Sequence, residues 1–173
     1  MRLYSGPSYQ VVNEFLRQIG HLSGEFRQHM AHDPGLTFSA TVGHLCRAIR
    51  KLAAVATEEE AKKPLLRGVR GELPRTFWVP DANNMICAVD MAFMSTSQRR
   101  ETPISYLGEG NNVLWELRPA VQSDVAFHRG ADISMLSQFK EEEEVLFPPC
   151  TMLEVIPPKP EQQAAHAPAD FSP

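Results

Sequence analysis

The spacing of apolar residues changes character at Pro64, and no other feature restricts the fold as much. Before it, apolar side chains recur at helical spacing. Val12, Phe15, Leu16 and Ile19 fall at i, i+3, i+4 and i+7, with Pro7-Ser8 as a start and Gly20 as a stop. Val42, Leu45, Ile49, Leu52 and Ala53 mark one face of a second helix over about 39–56. Asp33-Pro34-Gly35 predicts a turn between the two, and the charged stretch 57–63 a solvated link. After Pro64 the apolar runs are short, at 65–69, 85–94, 113–117, 143–147 and 152–156, and Gly, Pro and Asn punctuate them. That is the pattern of strands. Two short helical pieces are expected among them, at about 98–107 and 133–136. The chain therefore reads as an α+β domain, helical over 1–60 and strand-rich over 64–156.

At 173 residues there is room for one such domain with a real core and not for two comfortable ones. Apolar residues make up 43% and charged residues 22%, which excludes wholesale disorder. Seven of the 14 prolines lie between Pro148 and Pro173, so residues 157–173 read as a proline-rich disordered tail. Seventeen basic against 21 acidic residues leave −4, no footprint for nucleic acid or an anionic membrane. Cys46, Cys87 and Cys150 are far apart, with no Cys-x-x-Cys and no zinc-ligand spacing, and read as small apolar residues inside the fold. No metal is expected. With no secretory h-region and no long apolar window, the expectation is a soluble cytoplasmic protein, with an exported effector or an excised domain as alternatives.

Three stretches carry chemistry. In Ser137-Gln-Phe-Lys-Glu-Glu-Glu-Glu-Val-Leu-Phe, four glutamates run straight into an apolar strand. Such a run is ordinarily a solvated face. If the strand begins within it, Glu142 and Glu144 share one face and Glu141 and Glu143 the other, and a pair on one face could act on a single substrate. Ser95-Thr96-Ser97 is either a helix cap or a set of hydroxyls for a ligand. Arg67 within Leu66-Arg-Gly-Val69 is either an edge-strand arginine or an anion ligand, with Gly68 admitting close approach to the backbone. Arg70 falls on the opposite face and reads as structural.

An arginine strand, then Ser-Thr-Ser, then Glu-x-Glu-Val-Leu together resemble the arginine-specific mono-ADP-ribosyltransferases, the "R-S-E" class of ecto-enzymes and bacterial toxins. Tyr9-x-x-Val12-Asn13-x-x-Leu16-Arg17 resembles that family's N-terminal helix, and Gly130-Ala-Asp-Ile133-Ser-x-x-Ser137-x-Phe139 the segment leading to its substrate-recognition loop. The resemblance spans about 4–156. It implies N-terminal helices on a mostly antiparallel β-sandwich, NAD as co-substrate, and a protein arginine as acceptor. It places Glu144 and Glu142 as the catalytic pair, because Val-Leu follows the second glutamate at once, and counts Ser95 and Arg67 with them in the catalytic set. Arg67, Gly68, Ser95, Thr96 and Ser97 would hold NAD; Phe139 and Glu142 would receive the target arginine. A monomer is expected. The family's aromatic before the arginine is Leu66 here, and no NAD-phosphate loop aligns between 98 and 113, where Arg99 and Arg100 read as a solvated helix face. An NAD glycohydrolase, a quiet NAD- or protein-binding module of the same fold, and a structural helper domain with an acidic loop are the rival functions.

Overall fold

The computed structural model describes residues 1–2, 4–18, 38–120 and 129–156. Ile19, the stop at Gly20, the expected turn at 33–35, His128 and the proline-rich tail lie outside them.

An irregular helical turn, Tyr4–Ser8, leads into helix α1, Tyr9–Gln18. Val12, Phe15 and Leu16 form its buried stripe, the face that i, i+3, i+4 spacing dictates. Helix α2, Ser39–Ala53, buries Leu45, Ile49 and Ala53 by the same spacing. Both stripes meet Ala92, Phe93, Ala131, Ile133 and Leu146 in one cluster in which Ile49 and Leu146 are 0% exposed. A five-stranded antiparallel sheet and the residues flanking its strands supply those partners. Its strands are β1 (Leu65–Arg70), β3 (Met94–Ser97), β4 (Asn112–Leu117), β5 (Ala131–Asp132) and β6 (Glu144–Phe147), in the order β4-β1-β3-β6-β5. A second, two-stranded antiparallel sheet pairs β2 (Cys87–Asp90) with β7 (Thr151–Glu154). A smaller cluster joins the two sheets, with Leu65, Met94, Val145 and Phe147 packed against Leu153 and Leu117. The architecture is the expected α+β one, helices packed on antiparallel sheet.

Four local expectations need correction. The run at 85–94 is not one strand. It breaks after Asp90, whose Oδ1 accepts the Ala92 amide at 3.0 Å, and the chain leaves one sheet for the other. Asn13 holds the break: its Oδ1 accepts the Phe93 amide at 3.2 Å and its Nδ2 lies 3.4 Å from the Phe93 carbonyl. Residues 57–63 are largely exposed, as expected of a solvated link, but they are not irregular. Thr57 and Glu60 form a reciprocal capping box that starts helix α3, Glu58–Lys62. The piece at 133–136 is a turn closed by Ser137 N to Ile133 O at 2.8 Å, while the piece at 98–107 is helix α4, Glu101–Tyr106. Finally, Cys87 and Cys150 are exposed thiols and not interior residues, because Cys87 faces outward on β2 and Cys150 sits in the β6–β7 turn at φ 64°.

Asn13 is the buried polar side chain on an otherwise apolar stripe. Asn13→Leu leaves the Phe93 amide without its acceptor. The expected cost is about 1–3 kcal/mol of unfolding free energy, read as a lower denaturation midpoint in urea with an unchanged slope.

Candidate active site

Antiparallel register decides which side chains share a face. Leu66 opposes Ser97, and Ser97 opposes Glu144. By alternation Gly68, Ser95, Ser97 and Glu144 then project to the same side of the sheet. Helix α4 packs on that side at Gly68, where a Cβ would meet the Pro103 carbonyl and Leu107 at 2.8 Å. The absent side chain at Gly68 is thus filled by α4 packing.

Glu144 heads β6 and is only 7% exposed. Burial pushes its carboxyl above the usual glutamate range. The Ser95 hydroxyl, hydrogen-bonded to it, opposes that rise, and the neighbouring charge of Glu142 adds to it. A buried carboxylate close to a second one is an expensive arrangement, and it is concentrated at the end of β6.

Glu142 reaches this place by another route than strand alternation, which corrects the expectation for 143–147. It ends a single 3₁₀ turn, Lys140–Glu142, and Glu143 at φ 47° turns the chain into β6. The turn is fastened from β3 and α4. The Ser97 hydroxyl donates to the Glu142 carbonyl at 2.6 Å, Thr102 Oγ1 lies 3.4 Å from the same carbonyl, and Arg99 Nη1 donates to the Glu141 carbonyl at 3.0 Å. The Glu142 side chain accepts from the Tyr106 hydroxyl. Glu141 and Glu143 point to solvent.

Of the three hydroxyls in the Ser-Thr-Ser segment, only Ser95 stands at an exposed residue. Thr96 is buried and donates to the Val145 carbonyl at 2.7 Å, bracing β3 on β6. Ser97 is buried as well, holding the glutamate turn and accepting the Arg99 amide at 2.9 Å. The segment is strand, and α4 begins four residues later with no side-chain cap.

Arg67 donates from Nη1 to the Ser95 carbonyl at 2.8 Å and from Nη2 to Asp90 Oδ2 at 3.2 Å. Its side chain is 19% exposed, and burial pulls the guanidinium below its usual range while the Asp90 charge resists. Arg17 at the end of α1 approaches the other oxygen of Asp90 at 3.6 Å. Two cations therefore share one anion. Arg67 Nε is buried and finds no partner among the described residues, so the guanidinium keeps an unspent donor. The buried Tyr4 phenol feels the charges of Glu144, Arg17 and Arg67. Arg70 donates from Nε to the Tyr106 carbonyl at 2.8 Å, a structural tie between β1 and α4.

Phe139 lies three residues before Glu142 and is 46% exposed; its carbonyl accepts the Glu142 amide at 3.3 Å. The loop behind it is anchored to the N-terminus, with Gln138 N donating to Ser5 Oγ at 3.0 Å. Sequence reasoning misses Asp90, Arg17 and Tyr106 as site residues. Asp90 and Tyr106 end their elements without a motif around them, and only Arg17 stands within a stretch that carries the family resemblance.

A family model described as NAD:arginine ADP-ribosyltransferase matches residues 1–167. No curated protein matches the sequence. Three solved structures align over most of the chain, each with a TM-score of 0.57. The ADP-ribosyltransferase HopU1 of Pseudomonas syringae pv. Tomato DC3000 is 26% identical, with 86% of this chain and 58% of that one covered. The Salmonella SpvB domain is 20% identical, covering 95% and 82%. The catalytic domain of VsdC from Aeromonas hydrophila is 21% identical, covering 95% and 86%. The chain thus spans a little over half the length of HopU1. With the matched model running over nearly all of the sequence, the chain belongs to the NAD:arginine ADP-ribosyltransferase family.

Proposed function

We propose that this protein transfers ADP-ribose from NAD to arginine side chains of a protein and releases nicotinamide. The observation that carries the reading is the carboxylate pair. Glu144 is buried, hydrogen-bonded by Ser95 and raised in pKa, and Glu142 stands beside it on a stapled turn.

Breaking the nicotinamide–ribose bond leaves positive charge on the ribose, as in glycoside cleavage. A fixed anion at that position lowers the barrier, since it needs no reorganisation as the charge develops. Glu144 is that anion, and its burial strengthens the interaction that ionisation provides. Glu142, nearer to solvent, receives the acceptor guanidinium and takes up its proton. Arginine needs such help because its ordinary pKa, above about 12, makes it a poor nucleophile. Phe139 offers a ring face for the guanidinium at the rim. On the NAD side, the spare donors of Arg67 suit the dinucleotide phosphates, and Ser95 orients Glu144. The excess of arginines over Asp90 fits an anionic ligand there.

The test is to incubate the protein with labelled NAD, with and without agmatine as a small guanidine acceptor. Nicotinamide release with label on agmatine is the expected result. Release with free ADP-ribose as the sole product would assign an NAD glycohydrolase, and no release at all would leave a binding module.

A further inference from the structure

Tyr106 closes α4 and is fastened at both ends. Its carbonyl accepts Arg70 Nε from β1, and its hydroxyl donates to Glu142 Oε1 at 2.5 Å. The residue is half-exposed and makes no ring–ring contact among the described residues, so its side chain does little for the core. Glu142 is held in turn at its carbonyl by the Ser97 hydroxyl. Backbone and side chain of Glu142 are thereby fixed from two different elements, β3 and α4. A carboxylate oxygen has two lone-pair sites, so one accepted bond leaves acceptor capacity on Oε1 and all of Oε2. The fork of a guanidinium needs two parallel acceptors in a defined plane.

We propose that Tyr106 is a positioning residue for Glu142, setting the plane of its carboxylate so that the acceptor guanidinium docks in line with the reacting ribose. The proposal rests on the acceptor-side role given to Glu142 above. The phenol is a durable donor. The bond to Glu142, then partial burial, then the nearby Glu142, Tyr9 and Glu144 groups push it up to about 12. The hydroxyl thus stays protonated well beyond neutral pH. Water has no planar fork to align, so its attack on the ribose carbon needs no particular plane at Glu142. Transfer to guanidine is therefore the step that depends on Tyr106, and hydrolysis depends on it less.

Tyr106→Phe removes one oxygen and keeps the ring. Compared with wild type, the ratio of agmatine modification to NAD hydrolysis is expected to fall about tenfold, the effect of losing a hydrogen bond to a charged group. The loss should appear mainly in the rate at saturating NAD, with the KM for NAD within about twofold. A readout free of turnover accompanies it: the ring NMR signal of Tyr106 keeps its phenol position past about pH 10, the ordinary midpoint, and titrates earlier in Glu142→Gln. An unchanged ratio in Tyr106→Phe, in an enzyme that does modify agmatine, overturns the proposal and leaves the proposed function standing. A Tyr106 signal indifferent to Glu142→Gln also overturns it. Absence of nicotinamide release in wild type overturns the functional reading and this role with it.

Discussion

Glu144→Gln is expected to lower nicotinamide release by about 100- to 1,000-fold while making the protein more stable at neutral pH. The two effects have one cause. Glu144 is buried, and burial holds its pKa above the ordinary glutamate value in the folded state. The folded protein thus binds this proton more tightly than the unfolded chain. Below the ordinary value, near about pH 4.3, both states carry the neutral acid and the stability associated with it is fully present. As pH rises from there through the raised folded value, the unfolded chain ionises freely and the folded one only at a cost, so that stability is lost. Once ionised, native Glu144 is a buried charge that the neutral amide of the variant lacks. Thermal unfolding of Glu144→Gln should accordingly show a higher midpoint than wild type at neutral pH and converge with it in acid. A midpoint equal to or below wild type at neutral pH would mean that the carboxylate is not strained by its surroundings. Activity carries the same signature: the acid limb of the pH–rate profile lies above the ordinary glutamate range, because only ionised Glu144 offsets the ribose cation.

Such a stability–activity conflict is what the proposed role of Glu144 predicts, and part of the placement behind it is legible in the sequence. The glutamate run ending in Val145-Leu146-Phe147 forces the last carboxylate toward a buried strand, and strand β6 is buried throughout. Helices α1 and α2 and strands β1 and β4 are equally legible, since each carries its periodicity locally. Other features are set by distant residues. The break between β2 and β3 depends on Asn13, 80 positions away from Phe93, and nothing in the apolar run at 85–94 announces it. Strand alternation would pair Glu142 with Glu144, yet the pairing is made by a turn and a left-handed Glu143, a conformation the side chain does not advertise. Helix α3 is the opposite case. Thr57-x-x-Glu60 spells out its capping box, and the density of charge around it obscures a local signal that is present. Tyr106 belongs with Asn13: its partner is 36 residues away, and only the fold brings them together.

Glu142→Gln is expected to reduce modification of agmatine by about 100-fold or more while a measurable part of NAD hydrolysis survives. The size follows from losing a general base whose contribution is typically about 10²–10⁴-fold. The direction of the split follows from position. Glu142 lies outside the buried strand, on a turn pinned to β3 and α4, so it can meet an acceptor arriving from solvent without touching the pocket of Glu144. The substituted amide keeps the shape and can still accept the Tyr106 hydroxyl through its carbonyl oxygen, but it has no charge for a guanidinium and no site for its proton. Neighbouring glutamates supply the control. Glu141 acts through its backbone carbonyl, which receives Arg99, and Glu143 through its carbonyl, which accepts the Gln98 amide at 3.3 Å. Neither side chain is needed for those bonds. Glu141→Ala should leave turnover intact, and so should Glu143→Asn, where asparagine tolerates the left-handed backbone that alanine would strain by about 1 kcal/mol. If Glu143→Asn lost transfer as completely as Glu142→Gln, the acceptor carboxylate would have to be the one facing solvent across the turn, and the assignment of Glu142 would fall.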